Sequence, residues 1–185
     1  MMLFLILAPF GVFAALMLIA PPLVSLFAAS AVALGTIGYD IARGKSIKAL
    51  AAGAAILFAA IGGYLALFDE HLSGHNIRLA VDFGMLLIAL GSIALRSPFT
   101  LQYARESVEP AIAQLPAFKT INYVLTWAWT AAIALMLVAN ITMIYVPALP
   151  LWVGVGIAFA ARNCAVYFTK WYPAHRQAKL VAQSN

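Results

Sequence analysis

The first charged side chain in this sequence is Asp40. Everything from Met1 to Tyr39 is apolar or uncharged, and a second charge-free run extends from Leu50 to Phe68. Runs this long constrain the solvent before they constrain the fold. Of the 185 residues, 65% are hydrophobic and only 9% are charged, with a mean hydropathy of +0.98. A soluble domain is about 25% charged, and a water-soluble fold needs that charge to coat its surface. Lipid as solvent removes the need. In hydrocarbon every backbone N–H and C=O must bond internally, so only helices or closed barrels cross. Barrel strands alternate apolar and polar residues, whereas these runs are continuous. The sequence therefore predicts an all-α, polytopic membrane helix bundle.

About 20 helical residues cross about 30 Å of hydrocarbon, so Leu3–Tyr39 is too long for one helix. Pro21-Pro22 breaks it, because proline donates no hydrogen bond and obstructs the preceding turn. This places spans at 3–20 and 22–39. Further spans are expected at 49–68, 78–95, 121–146 and 151–169, making about six in a single domain, 1–185. If the proline pair only kinks a re-entrant segment, the count falls to five. The chain opens apolar without the charged stretch that begins a secretory signal, so the first run reads as a retained span.

Six spans sort the charges. One side carries Arg43, Lys45 and Lys48, then Arg96, Arg105 and Lys119, then Lys170, Arg176 and Lys179; the other carries only Arg78. The side rich in Lys and Arg is expected in the cytoplasm, giving an N-in/C-in layout. The formal charge of +5 then reads as an orientation signal and a contact for anionic lipid headgroups. Nucleic acid is not expected as a partner, since base-reading Arg interleaved with aromatics is missing. Cys164 is the single cysteine, so neither an intrachain disulfide nor a thiolate metal cage is possible.

The longest segment between spans is 96–120. Ser97-Pro98 suggests a helix start, with Ser as N-cap and Pro at the first helical position. Arg105 and Glu109 are spaced as an i,i+4 pair. Leu101, Ala104 and Val108 would share one face of a short interfacial helix ending before Pro110. The tail after Tyr172-Pro173 reads as short, basic and mobile. Three hairpins in series could be a threefold duplication, but they share little sequence.

Within the spans the polar residues are few. Asp82 is the one carboxylate, with Arg78 one turn before it, and either a local ion pair or a proton or cation site would explain it. Asn140 could bond across helices or contact a ligand. Arg162 and Asn163 could snorkel to the headgroups or hold an anionic group. Asp82, Asn140, Arg162 and Asn163 are thus the candidate ligand-binding set. Arg96, Phe99, Gln102, Tyr103, Arg105 and Glu106 are the candidate contacts for a partner or lipid. Glu70, His71 and His75 are weak metal candidates, because Ser73-Gly74 is expected to turn the chain between the histidines; no metal or other cofactor is expected. Ala51, Ala55, Ala59 and Gly63, four apart, form a stripe on which another helix could pack closely, within the monomer or in a homo-oligomer; Gly84 and Gly91 read the same way. Most Trp and Tyr residues fall near span ends, as an aromatic belt would place them. Catalytic motifs are missing: there is no GxSxG elbow, no phosphate-cradling glycine loop and no HExxH.

The stretch LRSPFTLQYARESVEP, followed by NYVLTWAWTAAIALMLVANITMIYVP and FTKWYP, resembles a family of small bacterial inner-membrane proteins, with PFTLQYARE as its distinctive block. That resemblance covers about 96–173 and implies a multi-pass topology in a bacterial inner membrane, without an activity. In size and hydropathy the chain is also loosely similar to intracellular septation protein A, and it has the length of substrate-binding subunits of small-vitamin transporters, an architectural analogy only. The leading expectation is a polytopic protein that binds or transports a small solute or ion. The alternative is a non-transporting scaffold or assembly factor docking a membrane partner through its basic face. A membrane-embedded lipid-modifying enzyme comes third.

Overall fold

The computed structural model describes residues 2–69, 72–146 and 148–184. They form eight helices and no strand: α1 Met2–Leu16, α2 Pro22–Ala42, α3 Ala49–Leu67, α4 Gly74–Ala94, α5 Phe99–Arg105, α6 Pro110–Gln114, α7 Pro116–Tyr145 and α8 Leu151–Ser184. By length and composition α2, α3, α4 and α7 are each long and apolar enough to cross a membrane. The chain divides into two compact units, Met1–Ser92 and Ile93–Asn185.

Prolines set several helix starts. Pro22, Pro110 and Pro116 each occupy the first turn of a helix, where the missing N–H is not needed. Pro21 and Pro22 also separate α1 from α2, as the sequence suggests. α1 is shorter than the expected 3–20: after Leu16 the ladder loosens, with Leu18 N–H bonding back only three residues to Ala15 O. A residue before proline avoids the α conformation, so the last turn frays ahead of Pro21. At 15 residues α1 falls below the length that crosses hydrocarbon unaided.

The first unit is built on the α2–α3 hairpin. Its turn is closed at Gly44, whose φ of +68° is costly for any residue with a Cβ. Lys45 N–H bonds to Asp40 O and Gly44 N–H to Ile41 O, both at 2.9 Å, the Schellman pattern that stops a helix on glycine. Further along, the Ser30 hydroxyl donates to Ala55 O at 3.0 Å. α1 and α4 complete a core in which Leu26, Ala29, Ala33, Ala54, Phe58 and Ile77 are fully buried. Phe58 takes Phe10 and Phe13 at ring-centroid distances of 5.3 Å each. On the far side of α3, Ile56 is 71% exposed. An apolar side chain outward in mid-helix fits lipid as the surrounding solvent.

The small-residue stripe of α3 is only half used. Ala51 and Ala55 are buried, while Ala59 is exposed and Gly63 half-exposed. Residues four apart drift about 40° around a helix of 3.6 residues per turn, so the buried edge passes instead to Ala54, Phe58, Gly62 and Leu65. Gly84 on α4 does serve close packing: a Cβ there would run into the Leu57 side chain of α3, whereas Gly91 faces open space.

The second unit is a long antiparallel hairpin of α7 and α8 with α5 and α6 beside α7. α7 begins at Pro116 rather than 121. α4 likewise begins early, at Gly74, because the Ser73 hydroxyl accepts from Asn76 N–H at 3.3 Å and caps it. Two expectations for the connecting segments are corrected. Pro98, not Ser97, is the N-cap of α5, and the helix ends at Arg105; Glu109 is extended and caps α6, as a residue preceding proline prefers. Arg105 and Glu109 therefore share no helix, and neither do Leu101 and Val108. The second correction is the tail: α8 runs on through Pro173 to Ser184.

Gly44→Ala forces a Cβ into the left-handed region and is expected to cost about 1 kcal/mol. Thermal or denaturant unfolding in detergent micelles measures it, and Gly91→Ala, which meets nothing, is expected to stay within about 0.5 kcal/mol of the parent.

Candidate functional site

Polar side chains in apolar helices are the places to look for function, because each costs energy unless something satisfies it. Asp82 lies half-buried in α4 of the first unit, one turn after Arg78. Asn140, half-buried in α7, and Arg162 and Asn163, both exposed on α8, belong to the second unit. Asn163 turns away from α7 and donates its Nδ2 to Phe159 O of its own helix at 2.7 Å. The buried flank of α8 is instead made by Ala161 and Ala165.

A cavity of about 100 Å³ opens between α7 and α8 near their turn. Leu135, Val138, Met143, Leu149, Val153 and Ile157 make most of its wall. Among the described residues its one polar side chain is Thr142, whose hydroxyl donates to Val138 O at 2.8 Å. Such a lining suits a hydrocarbon chain and offers nothing to orient a charged solute.

Two polar clusters are tighter than anything the sequence pointed to. At the α2–α3 turn, Lys48 is 2% exposed and its Nζ lies 2.6 Å from Asp40 Oδ2. The same ammonium donates to Ser46 O at 3.2 Å. Counted among the loop cations in the sequence, Lys48 is in fact a buried half of an ion pair, while Arg43 remains exposed and stacks 4.8 Å over the Tyr39 ring. In the second unit, α5 is fixed to α7 by hydroxyls. Thr100 Oγ1 is 2.7 Å from Asn122 O and 2.6 Å from Thr126 Oγ1, and Thr126 Oγ1 is 3.0 Å from Asn122 O. Each hydroxyl has one proton to give, so the three atoms form a short relay that ends on the carbonyl. Thr130 bonds back to Thr126 O, and one turn's breadth away Trp129 Nε1 donates to Thr169 Oγ1 on α8 at 3.0 Å. Trp129 is thus buried glue, while Trp127 is 53% exposed.

The candidate docking segment divides. Phe99 is buried and Gln102 bonds to Ser97 O at 2.7 Å and to Ser97 Oγ at 3.2 Å. Tyr103 and Glu106 are half-buried, whereas Arg96 and Arg105 are exposed. Arg96 adopts φ of +54°, a left-handed corner between α4 and α5. Of the weak metal candidates, Glu70 and His71 lie outside the described residues and His75 is exposed in the first turn of α4. Among the described residues no group of three or more His, Cys, Asp or Glu could hold a metal ion.

No protein-family model, curated protein or solved structure matches this chain.

Lys48→Met is expected to destabilise the first unit by about 2 kcal/mol, because Asp40 keeps a charge whose partner is gone. Adding Asp40→Leu should recover part of that loss, and a double-mutant cycle on unfolding midpoints reads the coupling. Thr100→Val, which keeps shape and removes the hydroxyl, should cost about 1 kcal/mol; no change in unfolding would mean that the relay contributes nothing to holding α5.

Proposed function

We propose that this chain is a six-span protein of the bacterial inner membrane, with both termini in the cytoplasm, and that it acts as a non-transporting scaffold or assembly factor. The count of six adds the apolar run 2–20, of which α1 is the regular helical part, and the apolar part of α8 to the four long apolar helices, and it rests on the break at Pro21-Pro22. The orientation rests on the Lys/Arg asymmetry.

One observation carries the choice of scaffold. The best-formed polar contacts between helices are closed on themselves, in the Asp40–Lys48 pair, the Thr100–Asn122–Thr126 relay and the Trp129–Thr169 bond. A transporter needs the reverse, polar groups held open toward a path, and the cavity between α7 and α8 is apolar. Meanwhile the segment between α4 and α7 presents Arg96, Arg105, Ile112 and Leu115 to the exterior. Cations beside exposed apolar side chains suit a partner's surface. α5 is the anchored base of that segment, since its Phe99 and Thr100 face inward.

A second reading, binding or transport of a small cation or proton-coupled solute, is supported by Asp82, a half-buried carboxylate eight residues inside an apolar helix. Membrane carboxylates of this kind commonly mark ion paths.

In-cell photocrosslinking separates the two. With benzoylphenylalanine at Ile112, the scaffold reading expects one discrete adduct in the host membrane, reduced at least about fivefold by Arg105→Glu while the melting midpoint is unchanged. Loss of the adduct from every exposed position of 96–115, together with a proton current in proteoliposomes that Asp82→Asn abolishes, would put the solute reading in its place.

A further inference from the structure

The helix that closes the second unit is longer than a membrane crossing. α8 has 34 residues, a rod of about 51 Å at 1.5 Å per residue, against about 30 Å of hydrocarbon. The surplus lies beyond its aromatic turn. Phe168 stacks on Tyr172 at 5.2 Å, and Trp171 stacks on His175 at 4.9 Å with the planes only 13° apart. Tyr and Trp gather at the level of the headgroups, one edge apolar and one wet. Around and just past these rings come Lys170 and Arg176, both exposed, and His175, partly exposed; Lys179 follows in the sequence. No Asp or Glu occurs anywhere after Glu109, so no carboxylate side chain on this helix or on α7 neutralises Lys170 and Arg176.

We propose that this end of α8 is a binding surface for anionic phospholipid headgroups. The ring stack sets the depth. His175 lies against Trp171 and Arg176 is the next residue, so both project from the turn that leaves the hydrocarbon, where a lipid phosphate sits. The continuation of the helix through Pro173 matters, because a mobile tail would spread Arg176 and the cations near it through the solution, whereas a helix holds Lys170 and Arg176 near one level. The surface rests on the membrane reading above but not on the scaffold reading, since it requires only that α8 cross the bilayer. Charge complementarity selects the occupant: a run of cations without acids, at headgroup level, beside a leaflet that carries phosphate.

The full chain in nanodiscs of equal phosphatidylcholine and phosphatidylglycerol tests it, with retained lipids counted by native mass spectrometry. The parent is expected to keep phosphatidylglycerol in preference, and Lys170→Gln/Arg176→Gln to lose most of that preference, about fivefold for each cation removed. Cys164→Ala, at an exposed position of the same helix, removes no cation and should leave it unchanged. Equal retention of the two lipids by the parent overturns the proposal. So does a preference that survives the double substitution, or one that millimolar inorganic phosphate removes, which would make this a site for a soluble anion. A melting curve of the double variant confirms that it is folded. Failure of the chain to enter nanodiscs would instead overturn the membrane reading itself.

Discussion

Apolar helices in hydrocarbon gain almost nothing by touching, since a lipid tail is as good a neighbour as a leucine. What holds two of them together is close van der Waals fit and the few hydrogen bonds that only a partner helix can complete. This chain uses both, in different proportions. Its first unit relies on fit: Phe58 between two phenylalanine rings, Gly84 against Leu57, and a hydroxyl bond from Ser30 to the α3 backbone. Its second unit relies more on polar contacts, with Thr100 and Thr126 sharing the Asn122 carbonyl and Trp129 reaching Thr169. Each such bond is worth only about 0.6 kcal/mol on average in a membrane, so they act as register pins more than as sources of stability.

Those pins explain why most of the polar residues in the helices are unavailable for chemistry. A threonine whose hydroxyl is bonded within its own helix or to the next presents methyl groups to everything else. Thr126, Thr130 and Thr169 each bond the carbonyl four residues back, and Thr126 and Thr169 serve a second helix as well. Exposed cations are different: Arg105, Arg162 and Arg176 on helices and Arg96 at the corner before α5 sit on surfaces, and it is there that a functional reading has to begin.

Much of this architecture is legible in residue order, for local reasons. Proline acts on its own turn, so the break at Pro21-Pro22 can be read directly, and the same rule governs the starts at Pro110 and Pro116. Long charge-free runs act on the solvent, so the apolar helices are legible too. Pro173 shows the limit of that logic. Residue order alone makes it the start of a mobile tail, yet α8 continues, because a helix that has already formed can bypass one missing hydrogen bond. Contacts distant in sequence leave no signal. Thr100 and Thr126 are 26 residues apart and carry no periodicity in common, and nothing in DIARGKSIK distinguishes Lys48 from the cations before it. Only the tightness of the Gly44 turn folds its ammonium back onto Asp40. The four-residue small stripe of α3 misleads in the opposite direction, since a spacing of four is not a full number of turns.

The Asp40–Lys48 pair sets how charge is arranged at the α2–α3 corner. A membrane potential acts on net charge, at about 2.3 kcal/mol per elementary charge for 100 mV. The corner sets Asp40 against Arg43, Lys45 and Lys48, a net of two positive charges whether or not the pair forms. Pairing therefore leaves the electrophoretic hold on this hairpin unchanged and lowers instead the cost of bringing its charges near the bilayer, since ammonium and carboxylate arrive as one bonded, neutral couple.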